Sequence, residues 1–201
     1  VQRIFEAKGR PADNPLIVHI ADLSNIGRIV DNELMTEVIQ GRLNTLADTF
    51  WPGPLTCIVP ANKDLAPNVT AGLDTVGIRI PDHPLALELL KTVSLPIAAP
   101  SANLSGKPSP TKAEHVFHDL QGEIPIILDG GGTGVGVEST VIDITSETPI
   151  VLRPGGISIE QLQGVLGQVA LDASITYDHF GQAPKSPGMK YVHYAPKGEV
   201  Q

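Results

Sequence analysis

Short aliphatic runs alternate along this chain with segments of helical period, and that alternation restricts the fold more than any other feature. Residues 15–20, 55–59, 76–80 and 97–100 are apolar runs of strand length. Between the first two, Leu34, Met35, Val38, Ile39, Leu46 and Phe50 recur near helical spacing until Trp51-Pro52-Gly53-Pro54 stops them. Residues 84–93 read as a helix with Pro84 in its first turn. Thr111 followed by Glu114 is a capping-box pattern, opening a helix that runs to Leu120. Residues 124–129 and 138–144 read as strands on either side of a glycine-rich stretch, and residues 149–153 as another. Ser158 and Gln161 then cap a last helix. The pattern predicts an α/β domain over residues 1–172. It fades beyond about residue 173, and residues 181–201, rich in Gly, Pro, Lys and Tyr, read as a linker within 173–201. The first ten residues read as the middle of a helix running into a loop. With no initiator Met, this predicts a piece of a longer protein.

Composition narrows the function classes. The 201 residues are 41% hydrophobic and 18% charged, a balance typical of a globular chain and unlike a disordered one. Aromatics make up only 4%, so the core must be aliphatic and base-stacking surfaces are disfavoured. The net charge of -8 argues against a general nucleic-acid binder, so any anion site must be a local cluster of Lys, Arg and backbone N–H groups. Cys57 is the single cysteine, which excludes an intrachain disulfide and a Cys-rich metal site and fits a reducing cytoplasm. No apolar run reaches the roughly 18 residues of a membrane span, and residues 1–5 carry no signal-peptide pattern.

Several segments carry chemistry. Lys8-Gly9-Arg10-Pro11 sets two cations in a loop that enters the strand bearing His19. Such a pair can converge on phosphate oxygens, or be ordinary solvated charge. Pro100-Ser101-Ala102-Asn103-Leu104-Ser105-Gly106 follows a strand end, where open α/β sheets bind ligands, although its residue types also suit a plain turn. Asp129-Gly130-Gly131-Gly132-Thr133-Gly134-Val135-Gly136 is neither a dinucleotide fingerprint nor a P-loop, because a strand follows it and no Gly-Lys-Ser/Thr does. Arg79, between Ile78 and Ile80, points to solvent or to a buried anion, and Arg153 stands at a strand end before Pro154-Gly155-Gly156. The histidines show no metal-ligand spacing, and His19 is the one placed to line a site. Nothing resembles a nucleophile elbow.

In order, the chain carries Lys8-Gly9-Arg10-Pro11 with Asn14-Pro15-Leu16-Ile17-Val18-His19, then Phe50-Trp51-Pro52-Gly53-Pro54-Leu55-Thr56 and Val76-Gly77-Ile78-Arg79-Ile80-Pro81. Ala99-Pro100-Ser101-Ala102-Asn103-Leu104-Ser105-Gly106, Glu138-Ser139-Thr140-Val141-Ile142-Asp143 and Leu152-Arg153-Pro154-Gly155 follow. This series resembles the YrdC-type threonylcarbamoyl-AMP synthases. Ser186-Pro187-Gly188-Met189-Lys190-Tyr191 with Val192-His193-Tyr194-Ala195-Pro196 resembles the linker of their long form. The resemblance implies an open, twisted mixed sheet with flanking helices and a concave ligand cavity. It also implies a nucleotidyltransferase that joins L-threonine, bicarbonate and ATP, with a divalent cation such as magnesium, into threonylcarbamoyl-AMP and pyrophosphate. Downstream it implies the machinery that modifies a tRNA adenosine.

Carried onto this chain, the family pattern makes Arg10, Asn14, Thr75, Ser101, Asn103, Ser109, Arg153 and Tyr194 the ATP contacts. His19, Arg79, Ala99 and Ser139 would hold threonine, while Lys8 and Arg10 would stabilise charge in the reaction. The metal ligands stay open. Family members carry a Thr-Glu-Thr-x-Tyr-Gly-like segment ahead of the Lys-x-Arg loop. None precedes Val1, which predicts an incomplete threonine pocket. A carbamoyl-AMP-forming module and an RNA-binding module, touching tRNA or duplex RNA, are the alternative readings.

Overall fold

The computed structural model describes residues 1–134 and 136–176. Seven strands form one mixed sheet: β1 (Ile17–His19), β2 (Leu55–Pro60), β3 (Thr75–Arg79), β4 (Ile97–Ala99), β5 (Thr140–Asp143), β6 (Ile150–Arg153) and β7 (Ala170–Leu171). Their order across the sheet is β4-β1-β3-β2-β5-β6-β7. The helices are α1 (Gln2–Lys8), α2 (Glu37–Phe50), α3 (Pro67–Thr70), α4 (Pro84–Val93), α5 (Ala113–Leu120), α6 (Ile159–Leu166) and α7 (Ala173–Thr176). None of the described helices is long and apolar enough to cross a membrane.

The pairing pattern decides where functional side chains gather. β1 runs parallel to β3 with His19 opposite Arg79, and β2 runs antiparallel to β3. β5 runs parallel to β2 with Leu55 opposite Thr140, and β6 runs antiparallel to β5 with Arg153 opposite Val141. His19, Arg79, Ser139 and Arg153 therefore lie at one end of the sheet, although 134 residues separate the first from the last. Every residue of β2 and β5 is buried, as central strands covered on both faces must be.

α2 shows why the helical pattern appears in the sequence. Thr36 caps it by accepting a hydrogen bond from the Ile39 N–H, and Ile39, Leu43, Leu46 and Ala47 form its buried stripe. Leu43 and Leu46 have no exposed surface, so truncating either to Ala would cost about 2–5 kcal/mol. The Ser158 and Gln161 capping box of α6 is present in both its hydrogen bonds, and α6 sends Leu162 into the same core.

Two local expectations are corrected. Residues 124–129 form no strand, and Ile126 and Leu128 stay exposed. The run is apolar enough for a strand, but Pro125 offers no N–H to a ladder and no strand of the sheet pairs with the segment. The Thr111–Glu114 capping box does not form either. α5 starts at Ala113 with Lys112 as its cap, which puts Glu114 one position too early. Thr111 faces His115 instead, and Glu114 pairs with Lys112 at 3.4 Å. β7, too short to show a period, was not visible in the sequence.

Candidate functional site

A cavity of about 520 Å³ opens over one face of the sheet, running along β1 from the residues before it to His19 at its end. The loop after α1 forms one wall. Gly9 takes the left-handed conformation (φ 57°) that closes the helix, and its N–H bonds back to the Glu6 carbonyl. That turn brings Lys8 and Arg10 to the same cavity. The loop after β4 forms the facing wall with Ser101 and Asn103, and the ends of β3, β5 and β6 supply Arg79, Ser139 and Arg153.

The Lys-x-Arg and Ser-x-Asn motifs meet directly. The Lys8 ammonium donates to the carbonyls of Ser101 (2.5 Å) and Asn103, and points to the Asn103 side-chain oxygen at 3.5 Å. Ser105 N–H donates to the Lys8 carbonyl at 2.9 Å. Lys8 is 5% exposed and its protons are committed to this loop, so it organises the wall and supplies field more than a free contact. Burial, and then Arg10, push it down to about 8, while Asp119 opposes them.

The other cations form a row. Burial and then Arg153 push Arg10 down to about 10, with Glu138 opposing. Arg79 is lowered by burial, with Arg153 adding to the effect. All remain charged at neutral pH, so each raises the electrostatic cost of the next. Arg10 donates to the carbonyls of Asn14 (3.3 Å) and Pro15 (2.8 Å), and Arg79 to that of Gly53 (2.9 Å). Arg153 donates to the Ser139 carbonyl through Nε and a terminal nitrogen (3.1 and 2.8 Å) and to the Ser139 hydroxyl at 3.0 Å. Four cations around one cavity in a chain of net charge -8 make a local anion site, with Glu138 the one carboxylate among the described lining residues. Glu138 stands 3.7 Å from Arg153.

Two buried polar atoms in this cavity, Asn14 Oδ1 and His19 Nδ1, have no well-placed hydrogen-bond partner among the described residues. Such groups are costly to leave unmatched, and both belong to residues that line the cavity. Burial, with Arg79 next in effect, pushes His19 down to about 4, so its imidazole is neutral at pH 7.

Lys8, Arg10, Asn14, His19, Arg79, Ala99, Ser101, Asn103, Ser139 and Arg153 thus all line one cavity. Ser109 is not in the lining, but its hydroxyl donates to Glu138 at 3.2 Å, beside the arginine row. Thr75 is set apart, at the start of β3 opposite Pro60. Tyr194 lies outside the described residues. Sequence reasoning quoted Glu138 and Thr56 within motifs but gave them no role. Glu138 is the cavity's counter-charge, and the Thr56 hydroxyl bonds that of Ser139 at 2.8 Å. Gly155 packs so closely on the start of β5 that a Cβ there would stand 2.6 Å from the Ser139 carbonyl carbon.

Residues 1–155 match the Sua5/YciO/YrdC family model, described as telomere recombination. The chain belongs to the Sua5/YciO/YrdC family. Residues 157–201 match a second model, the C-terminal domain of threonylcarbamoyl-AMP synthase. Among curated relatives, the threonylcarbamoyl-AMP synthase of Bacillus subtilis is 57% identical over 98% of this chain and 55% of its own length. That of Pyrococcus abyssi is 50% identical over 100% of this chain and 57% of its own length. A crystal structure of P. abyssi Sua5 complexed with L-threonine superposes with a TM-score of 0.91 at 49% identity, covering 98% of this chain and 56% of that one. The chain therefore spans about half the length of these relatives. The observed mixed α/β sheet with flanking helices is the fold of this Sua5/YrdC group.

Proposed function

We propose that the cavity binds ATP and L-threonine and that the protein forms threonylcarbamoyl-AMP from L-threonine, bicarbonate and ATP, releasing pyrophosphate for tRNA threonylcarbamoyladenosine modification. The observation that carries this reading is the convergence of Lys8, Arg10, Arg79 and Arg153 on one cavity of an acidic chain. Similarity to a synthase solved with L-threonine supports it.

The threonine amine combines with bicarbonate to give a carbamate, with loss of water. A carbamate oxygen then attacks the α-phosphorus, and the bond to pyrophosphate breaks. No covalent enzyme intermediate is needed, so catalysis consists of positioning and of neutralising charge that grows on the phosphate oxygens. Arg10 and Arg153, with Asn14, Ser101, Asn103 and Ser109, would take the nucleotide, and Lys8 would add its field. Arg79 would pair with the threonine carboxylate beside His19, Ser139 and the Ala99 backbone. His19, neutral and half-buried, would add no positive charge next to the threonine amine, which must itself lose a proton to react. Tyr194 remains a candidate ATP contact from the family pattern, whereas Thr75, at the other end of β3 from Arg79, is outside the cavity lining. We take residues 1–172 as the catalytic domain and 173–201 as a linker.

A divalent cation would travel with the polyphosphate, neutralising its oxygens. No group of three or more His, Cys, Asp or Glu residues among the described ones forms a metal cage. Among the described lining residues, Glu138 is the single carboxylate that could approach such an ion. The deciding experiment is pyrophosphate release by the full-length protein with and without L-threonine. Release that requires both threonine and bicarbonate is expected. Release indifferent to threonine would sink the proposal.

A further inference from the structure

Asp119 lies on α5, outside the lining of the cavity, yet its carboxylate ties down the loop on which the site depends. One oxygen accepts the Leu104 N–H at 3.2 Å, and the other accepts the Lys107 ammonium at 2.6 Å. Within the same loop the Asn103 amide donates to the carbonyls of Leu104 and Lys107, each at 2.8 Å. Residues 101–107 are thus closed on themselves by Asn103, fastened to α5 by Asp119, and fastened to α1 through Lys8. The Asp119 side chain is 11% exposed while Lys107 is 44% exposed, so the pair lies at the protein surface with its carboxylate turned toward the loop.

We propose that Asp119 is a positioning residue for the nucleotide-binding wall: the Asn103–Leu104 peptide unit takes Lys8 on its carbonyl and Asp119 on its N–H, so the Asp119 carboxylate acts through its charge on the carbonyls that Lys8 uses. The functional half of this inference rests on the ATP-binding reading above. Arg10 and Asp119 act on Lys8, and other charged groups stand on the elements around it. Arg10 stands on its own loop, Lys107 on the facing loop, and Asp119 with His118 at 3.4 Å on α5. Arg153 and Glu138 share the cavity. Burial and Arg10 favour the neutral amine, and Asp119 favours the ammonium. A neutral Lys8 would have fewer protons than its carbonyl partners need, and the wall would loosen. Without Asp119's charge, Lys107 would add to the repulsion that Arg10 already exerts. Without Lys107, Asp119 would act on Lys8 alone.

Asp119→Asn keeps the shape and an acceptor for Leu104, while Lys107→Met breaks the same ion pair from its other side. A brace that acts only by holding the loop predicts similar effects from both. A charge-bearing positioning residue predicts opposite ones. The side-chain carbons of Lys8 are titrated by NMR in the full-length protein, assigned with Lys8→Arg. Asp119→Asn should move the Lys8 midpoint down by on the order of half a unit, and Lys107→Met should leave it in place or raise it. Calorimetry at pH 7 and pH 8 should then show ATP affinity falling about threefold in Asp119→Asn over that interval, against about twofold in the parent. Midpoints that move together in both variants would overturn the inference, as would ATP affinity in Asp119→Asn that tracks the parent at both pH values. If Lys8 titrates as expected but the parent protein binds no ATP, the charge coupling stands and the nucleotide reading falls.

Discussion

His19 makes the stability of this fold depend on pH. Its imidazole is pushed from an ordinary 6.5 to about 4, chiefly by burial. A group with a lowered folded pKa binds its proton more readily in the unfolded chain, so acid favours unfolding. Above about pH 6.5 both states hold a neutral ring and the contribution is complete. It is lost as pH falls from 6.5 through 4, and below that no more is lost. The separation of about 2.5 units corresponds to roughly 3 kcal/mol at most, at about 1.4 kcal/mol per unit. One edge of the ring opens to the cavity, where water trims the cost, so about 2 kcal/mol is the expected loss. Carboxylates titrate in the same range, and the comparison must remove them. Urea unfolding of the parent and of His19→Gln, measured from pH 7.5 to pH 4, does so by difference. The parent should lose about 2 kcal/mol more than the variant over that interval. Parallel stability curves would refute the assignment of a half-buried, neutral His19.

The remaining predictions concern other parts of the site and its support. Arg79→Ala should weaken L-threonine binding by about 10- to 100-fold while changing ATP affinity far less, and calorimetry with each ligand separates the two. Unchanged threonine affinity would remove Arg79 from the carboxylate site. Gly155→Ala places a methyl against Glu138, Ser139 and Thr140 backbone atoms and should lower stability by about 1–3 kcal/mol, read as a lower Tm. It should also weaken threonine binding, because Ser139 moves with the strand start. Arg42 donates to the carbonyls of Ile144, Ser146 and Glu147, so Arg42→Met should destabilise by about 1–3 kcal/mol in denaturant titration with little effect on ligand affinity.

The α/β class, most strands and the long helices were legible in the sequence, because each depends on a local period. Ile39 and Leu46 of the α2 stripe and the run of β2 follow from side chains spaced to one covered face or two, whereas Leu34 and Val38, read into the same stripe, are exposed and Leu43 was not singled out. Residues 124–129 misled because an apolar run of strand length does not reveal whether another strand pairs with it. Helix α5 misled because a one-residue shift in its start separates a capping box from an ordinary surface pair.

The candidate site divides the same way. Motif order named Lys8, Arg10, Ser101 and Asn103 and pointed to the family, since residue identity at fixed spacing is preserved in the one-dimensional chain. It did not say that the Lys8 ammonium would be spent on the carbonyls of Ser101 and Asn103, or that Glu138 would stand among the arginines as their counter-charge. Nor did it single out Asp119, whose role depends on α5 meeting a loop 12–15 residues away in sequence. Identity and order are properties of the chain. Burial, field and the sharing of protons arise only when parallel and antiparallel pairing brings strand ends together, because each depends on distances that no spacing in sequence encodes.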